Sequence, residues 1–162
     1  MPFTHDIVAT YRGPGKVVRR LLTAGPREDR ALAILMGACA ILFIARWPAL
    51  ARQAHIEEQE LNMLLGGTLM ATIFLAPLLF YTLALIAHWI ARVFRGQGPA
   101  YNARLALFWS LLASSPLVLL NGLVAGFIGP GLELTLVGLL WFAVFMWFWL
   151  AGMVAAYRGA EA

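Results

Sequence analysis

The sequence predicts an all-α fold, a polytopic membrane helical bundle of four transmembrane helices preceded by an N-terminal amphipathic helix at the interface. Of the 162 residues, 62% are hydrophobic and only 12% are charged. A soluble domain carries roughly 25% charged residues because it must cover its surface with polar groups. Four long apolar runs account for the difference, and the segments before, between and after them hold most of the basic residues. Both observations indicate a surface that faces lipid.

Four segments reach the roughly 17–25 apolar residues that a membrane-spanning helix needs. They are 31–47, 61–91, 105–128 and 132–157, and together they define a transmembrane domain at 29–157. The first is predicted to end at Trp47-Pro48, an aromatic interface anchor followed by a helix stop. The second is longer than a bilayer requires, so it must tilt or bend, and Pro77 is the expected bend.

The distribution of Lys and Arg predicts the orientation, because these residues mark the cytoplasmic side. Six of the twelve precede the first span, three lie between the second and third spans, and one follows the fourth. The first loop has two arginines, whose positive charge is balanced by three glutamates. The third loop, Gly129-Pro130-Gly131, has no Lys or Arg. We therefore expect both termini in the cytoplasm, with a short tail at 158–162.

The segment 1–28 is predicted to be a cytoplasmic amphipathic region. One helical face of it carries Val17, Val18, Leu21 and Leu22. The opposite face carries Lys16, Arg19 and Arg20. A basic amphipathic helix lies in the interface plane and binds anionic headgroups, so membrane lipids are the expected partner. The alternative is a helix packed on the protein's own cytoplasmic loops.

Catalysis inside a membrane needs ionisable groups within the bundle, and the central parts of the four spans contain none. We therefore predict that the protein is not an enzyme and has no catalytic residues, cofactor or metal. His88 could ligate a pigment or haem, but a polar role at the interface is the stronger interpretation. Nucleic acid is not an expected partner, because the basic residues lie in short segments between apolar runs. The lone cysteine, Cys39, lies in an apolar run and is interpreted as a small buried residue.

The third span contains the residues that indicate helix packing. Gly122-x-x-x-Gly126 forms a small-residue face that permits close approach of another helix. Ser114-Ser115-Pro116 predicts a break, with hydroxyl groups able to satisfy the freed carbonyls. Asn121 is the most polar side chain within a span and is expected to form a hydrogen bond to another helix.

The fourth span is rich in aromatic residues and offers a candidate docking face for a membrane protein or a hydrophobic molecule. Its members are Trp141, Phe145, Trp147, Phe148 and Trp149. The alternative is an ordinary combination of an interfacial belt and bundle core.

Two features of the chain resemble the bacterial branch of the Yip family, membrane proteins named for interaction with Rab-type GTPases. One is the glycine-containing loop at 92–104, which leads into a helix interrupted at Ser114-Ser115-Pro116. The other is the tryptophan-rich last span with its short tail. The resemblance covers roughly 17–157 and implies a non-enzymatic multi-pass protein of a bacterial inner membrane. Eukaryotic members have five spans and an Asp-Leu-Tyr-Gly-Pro motif, of which only Tyr11-Arg12-Gly13-Pro14 is a partial match, so GTPase binding is not carried over.

The sequence thus predicts a scaffold, accessory subunit or assembly factor that works through lateral helix contacts. Its expected partners are lipids and another integral membrane protein, or a second copy of itself. The alternative is a small transporter, channel or lipid-handling protein. In that case Pro77, the Ser114–Pro116 break and Asn121 would shape a route through broken helices.

Overall fold

The computed structural model describes the backbone of residues 2–158 and the side chains of residues 4–158, and within this range it contains helices and no strands. The helices are α1 (Pro2–Thr10), α2 (Pro14–Thr23), α3 (Glu28–Ile56), α4 (Leu61–Met70), α5 (Ala76–Val93), α6 (Ala100–Ala113), α7 (Ser115–Phe127) and α8 (Leu132–Arg158). A π-helical turn, Ala71–Leu75, joins α4 to α5 without interrupting the helix. The predicted all-α architecture is confirmed.

Three helices are long and apolar enough to cross a membrane, namely Glu28–Ile56, Leu61–Val93 and Leu132–Arg158. Helices α6 and α7 form a fourth candidate span if they are taken together, although they are bent by 46° where they meet at Ser114. The fold therefore has three to four candidate membrane-spanning units. Their apolar composition predicts a membrane protein.

The first long helix does not end at Trp47-Pro48 as the sequence predicts, but continues to Ile56. Proline inside a helix removes one backbone hydrogen bond, and neighbouring helices can compensate for that loss in a membrane. Here Pro48 packs directly on Gly126 of α7. Arg46 and Arg52 are consequently helical residues rather than loop residues, and Arg52 donates a 3.4 Å hydrogen bond to the Gly126 carbonyl.

The predicted irregularity in the second span lies one turn before Pro77. The π-helical turn Ala71–Leu75 directly precedes Pro77, which occupies the first turn of α5. Proline cannot donate to the carbonyl four residues earlier and its ring crowds that carbonyl, so a locally wider turn relieves the clash. The helix accommodates the proline there and continues to Val93.

Helix α6 forms the centre of the bundle. Helices α3, α5 and α8 pack around it, and α1 and α2 cover part of its remaining surface. The seven residues 105–111 are all buried, including Phe108 and Trp109. Tyr81 of α5 contacts the Phe108 ring edge-on, with ring centroids 5.0 Å apart. The bend at Ser114 is therefore held at the innermost part of the fold.

The N-terminal helices form a hairpin that packs into the bundle. The indole Nε1 of Trp109 donates a 3.0 Å hydrogen bond to the buried Thr10 hydroxyl. The Tyr11 hydroxyl donates a 2.8 Å hydrogen bond to the Ala113 carbonyl, and its ring meets Phe148 edge-on at 4.9 Å. An ion pair between Arg20 and Asp6 joins the two arms of the hairpin.

The apolar face of α2 is not available to lipid. Val18 is 1% exposed and lies against α8, where a Cβ added to Gly152 would be 3.2 Å from its Cγ2. Leu21 and Leu22 also pack on the core. The prediction that this stripe enters the lipid interface is therefore wrong, because α6 and α8 provide a protein surface that covers it. The alternative placed this helix on the protein's own cytoplasmic loops, whereas in the structure it packs on helices α6 and α8.

Candidate functional site

The small-residue face of α7 is turned towards α3 of the same chain. A Cβ added to Gly122 would lie 2.8 Å from the Ala45 carbonyl carbon and closer still to its oxygen. A Cβ added to Gly126 would lie 2.7 Å from the Pro48 carbonyl carbon. These two backbones touch, and α3 and α7 have the most extensive contact of any helix pair described. Gly122 and Gly126 thus serve internal packing, which leaves their face unavailable to a partner.

The break between α6 and α7 is tied to α8 through Ser114. The Ser114 hydroxyl donates a 3.1 Å hydrogen bond to the Leu111 carbonyl and accepts one of 3.2 Å from the Trp141 indole. Ser115 is also buried, and Pro116 lies in the first turn of α7. The serine hydroxyl therefore satisfies a carbonyl at the break while it links two elements.

Ser114→Ala is expected to lower the free energy of unfolding by about 1–3 kcal/mol, because the Trp141 indole N–H would lose its acceptor inside the bundle. Thermal unfolding of the purified protein in detergent, followed by tryptophan fluorescence, measures this. Ser115→Ala is the matched control, since Ser115 is also buried and its hydroxyl makes no hydrogen bond to another helix among the described residues. Equal stability of the two variants would contradict a bonding role for Ser114.

Asn121 does not form the predicted hydrogen bond to another helix. Its amide nitrogen lies beside Gly138 of α8, 3.3 Å from where a Cβ would stand. The side chain lines a cleft of about 370 Å³ between α3, α7 and α8, which Arg46 also lines. The amide therefore lies at the edge of the cleft, beside the backbone of α8, without a hydrogen bond to a described helix.

The aromatic residues of α8 are largely packed inside the chain. Phe145 and Phe148 are buried, and Trp141 stacks on Phe145 with ring centroids 5.6 Å apart. Trp149 is half-buried beside Phe145, whereas Trp147 is 48% exposed. The prediction of a five-residue docking face is therefore wrong for Phe145 and Phe148, because both side chains are buried in the hydrophobic core of the bundle. Only Trp147 is outward among the five.

His88 has a protein partner. Its Nδ1 lies 2.6 Å from the Tyr157 hydroxyl, which also donates a 3.4 Å hydrogen bond to the Pro99 carbonyl. The imidazole thus links α5 to the end of α8 and to the loop before α6. Within residues 2–158 there is no group of three or more side chains positioned to hold a metal.

The basic residues of α2 lie on its outer face. Lys16, Arg19 and Arg20 are all exposed, on the side opposite the buried Val17 and Val18. Arg12 and His5 continue this basic surface and share a shallow cleft with Lys16 and Arg20. The cations are therefore accessible even though the apolar face of the same helix is covered.

An open groove along the second long helix was not predicted from the sequence. It has a volume of about 730 Å³ and runs from Arg46 of α3 along α4, the π-helical turn and α5. Six small or hydroxyl-bearing residues line it together with Leu75, Leu78 and Leu79: Gly67, Thr68, Ala71, Thr72, Ala76 and Thr82. A Cβ added to Gly66 or Gly67 would meet nothing within 4 Å. The signal in the sequence is the spacing Gly67-x-x-x-Ala71, the same four-residue repeat as in α7.

No relative of known function was found for this chain. No family model matches the chain, and neither the curated proteins nor the solved structures contain a significant match. The resemblance to bacterial Yip proteins stays a prediction.

Proposed function

We propose that this chain is a non-enzymatic, four-span protein of a bacterial inner membrane, with both termini in the cytoplasm. It acts as a scaffold, accessory subunit or assembly factor by binding a transmembrane helix of another integral membrane protein. The observation that carries this proposal is the open small-residue groove along Leu61–Val93. The resemblance to Yip proteins points to the same non-enzymatic class.

Of the two small-residue faces described, the one on α7 is covered by another helix and the one at Gly67 is open. In a membrane, apolar burial alone does not drive helix association, so small residues that let backbones approach mark the contacts. The α7 face is filled by Ala45 and Pro48 of α3. The groove at Gly67 and Ala71 has the same spacing, and none of the described helices lies within it. Of the most apolar 18-residue window of Leu61–Val93, only 6% is buried in the protein.

Arg46 gives the groove a polar end. It lies 18 residues after the start of α3, about 27 Å along the helix at 1.5 Å per residue, close to the full thickness of the hydrocarbon core. Its guanidinium makes no ion pair with a described residue. A partner helix that fits would offer a small-residue face beside Gly67 and a carboxylate near the outer interface to meet Arg46.

Gly67→Leu is expected to weaken binding of the partner about five- to thirtyfold while the protein stays folded, since loss of close packing and one interhelical contact amounts to about 1–2 kcal/mol. Affinity purification of tagged protein in a gentle detergent, with native mass spectrometry of the eluate, gives the readout. An absorption spectrum of the same eluate tests pigment or haem at His88.

The matched control for this test is Gly37→Leu, because Gly37 of α3 also has nothing within 4 Å of an added Cβ and lies outside the groove. The two variants add the same volume to a span. A partner that is retained equally by Gly67→Leu and Gly37→Leu would contradict the proposal.

The exposed cations of α2 support a contact with anionic headgroups, as an addition to the same proposal. Lys16, Arg19 and Arg20 extend from a helix whose other face is anchored in the bundle. Each basic residue near an anionic surface contributes about 1 kcal/mol.

A transporter or channel is the second candidate, and the 46° bend between α6 and α7 beside the Asn121 cleft is the observation that favours it. The cleft beside α7 and the groove beside α5 share only Arg46 in their linings, and neither is lined by Ser114 or Pro77. Solute flux in liposomes that disappears in Asn121→Leu would support this candidate over the scaffold.

A further inference from the structure

A second groove lies at the other end of the bundle, between the last halves of α5 and α8. Its volume is about 630 Å³, within the roughly 300–1,000 Å³ range of ligand sites. Its walls are apolar and include Leu83, Ile86, Ile90, Leu150, Met153 and Val154. Two arginines, Arg95 and Arg158, line the same groove. It does not overlap the small-residue groove beside α3.

Contacts at the floor of this groove fix the position of the end of α8 relative to α5. Tyr157 is buried, and its hydroxyl bonds to His88 of α5 and to the Pro99 carbonyl. A Cβ on Gly96 would lie 3.1 Å from Cδ1 of the Tyr157 ring, so the loop after α5 packs tightly on the end of α8. These contacts bring Arg95 and Arg158 to one edge of an apolar trough. Neither guanidinium has an ion pair or hydrogen bond with a described residue.

Arg95 occupies a backbone position that glycine normally fills. The Gly96 amide donates to the Ala91 carbonyl at 2.7 Å and the Arg95 amide donates to the Arg92 carbonyl at 3.1 Å, which is the Schellman pattern at a helix C-terminus. Arg95 is the residue in the left-handed conformation, with φ of 62°. This conformation is unfavourable for a residue with a Cβ, so the backbone would tolerate glycine better than arginine.

We propose that the α5–α8 groove binds one anionic phospholipid, with an acyl chain between Ile90 and Val154 and the phosphate held by Arg95 and Arg158. Arginine binds phosphate oxygens with paired, charge-assisted hydrogen bonds. Two cations at the rim that have no ion pair with a described residue favour a headgroup with net negative charge over a zwitterionic one. The proposal goes beyond the scaffold function and uses a different surface.

The test uses the full chain, purified in a neutral detergent and stripped of lipid, with phosphatidylglycerol and phosphatidylcholine as probes. Native mass spectrometry counts bound lipid across a titration. We expect one phosphatidylglycerol to bind about tenfold more tightly than phosphatidylcholine, and Arg95→Gly to reduce that preference about tenfold. Because glycine suits the left-handed position, the melting temperature of Arg95→Gly should not fall.

Glu58→Gly is the matched control for the backbone change. Glu58 has φ of 53° at the C-terminal end of α3, where Gln59 donates to the Ala54 carbonyl in the same 6→1 pattern, and it lies outside the groove. This variant should bind phosphatidylglycerol like the unaltered protein. Equal binding of the two lipids by the unaltered protein, or full phosphatidylglycerol binding by Arg95→Gly, would overturn the proposal.

A second pair of variants tests the acyl-chain trough without removing charge. Val154 is 52% exposed inside the groove, and Leu140 is 50% exposed on the same helix outside it. Val154→Trp should fill the trough and weaken phosphatidylglycerol binding about tenfold, whereas Leu140→Trp should not. Equal binding by both variants would place the lipid elsewhere and overturn the assignment.

Discussion

Gly122→Ala is expected to lower the free energy of unfolding by about 3 kcal/mol or more, although it adds a single carbon atom. The added Cβ would lie 2.8 Å from the Ala45 carbonyl carbon, and backbone atoms cannot rotate away as a side chain can. Helices α3 and α7 would have to separate along their whole contact. Unfolding of the purified protein by titration with a denaturing detergent, followed by circular dichroism, measures the loss.

Gly37→Ala is the control for this prediction, since the same substitution in α3 meets nothing within 4 Å. There the methyl group should raise helix stability by about 0.5–1 kcal/mol. The two glycine-to-alanine changes are thus predicted to have opposite signs. Equal effects of the two changes would contradict the contact between α3 and α7. An altered oligomeric mass with unchanged stability in Gly122→Ala would show that the α7 face contacts another molecule instead of α3.

Val18→Asp is expected to destabilise the protein by about 3–5 kcal/mol, because it would bury an uncompensated charge. Val18 is 1% exposed, between Gly152 of α8 and the rest of the core. Lys16→Asp introduces the same carboxylate on the exposed face of the same helix and should change stability little. Thermal unfolding in detergent distinguishes the two, and a folded Val18→Asp of normal stability would mean that the hairpin does not pack on the bundle.

The helical architecture and the long apolar helices could be predicted from the sequence because length and hydropathy are local properties. A run of apolar residues as long as 132–157 has few alternatives to a membrane helix. The end of α3 was harder, since Trp47-Pro48 has the pattern of a helix stop. Whether proline ends a membrane helix depends on the neighbour that compensates, and that neighbour, Gly126, lies 78 residues later.

The direction in which side chains face could not be predicted in the same way. In a soluble protein, polarity separates outside from inside, but lipid-facing and protein-facing positions of a membrane helix are both apolar. Phe148 and Trp147 are therefore alike in sequence, although one is buried beside Tyr11 and the other is exposed. The stripe containing Val18 has the same ambiguity, since an amphipathic helix can cover its apolar face with lipid or with protein.

Residue spacing alone predicts that a small-residue face exists, but not whether that face is covered or open. Gly122-x-x-x-Gly126 predicts a packing face, but its spacing does not say which helix packs on it. Gly67-x-x-x-Ala71 has equivalent spacing and does not stand out in the sequence, because alanine and threonine are common in apolar helices. Only the three-dimensional arrangement separates the face that is filled by α3 from the face that is open.

The most direct test of the scaffold proposal is photo-crosslinking in the native membrane, from a photoreactive residue at Ala71 in the groove and from one at Leu140 on α8. Both positions are exposed, but only Ala71 lines the small-residue groove. We predict that Ala71 yields a crosslinked protein of one discrete mass, a membrane protein or a second copy of this chain, and that Leu140 yields only lipid adducts. Lipid adducts alone from both positions would contradict the account.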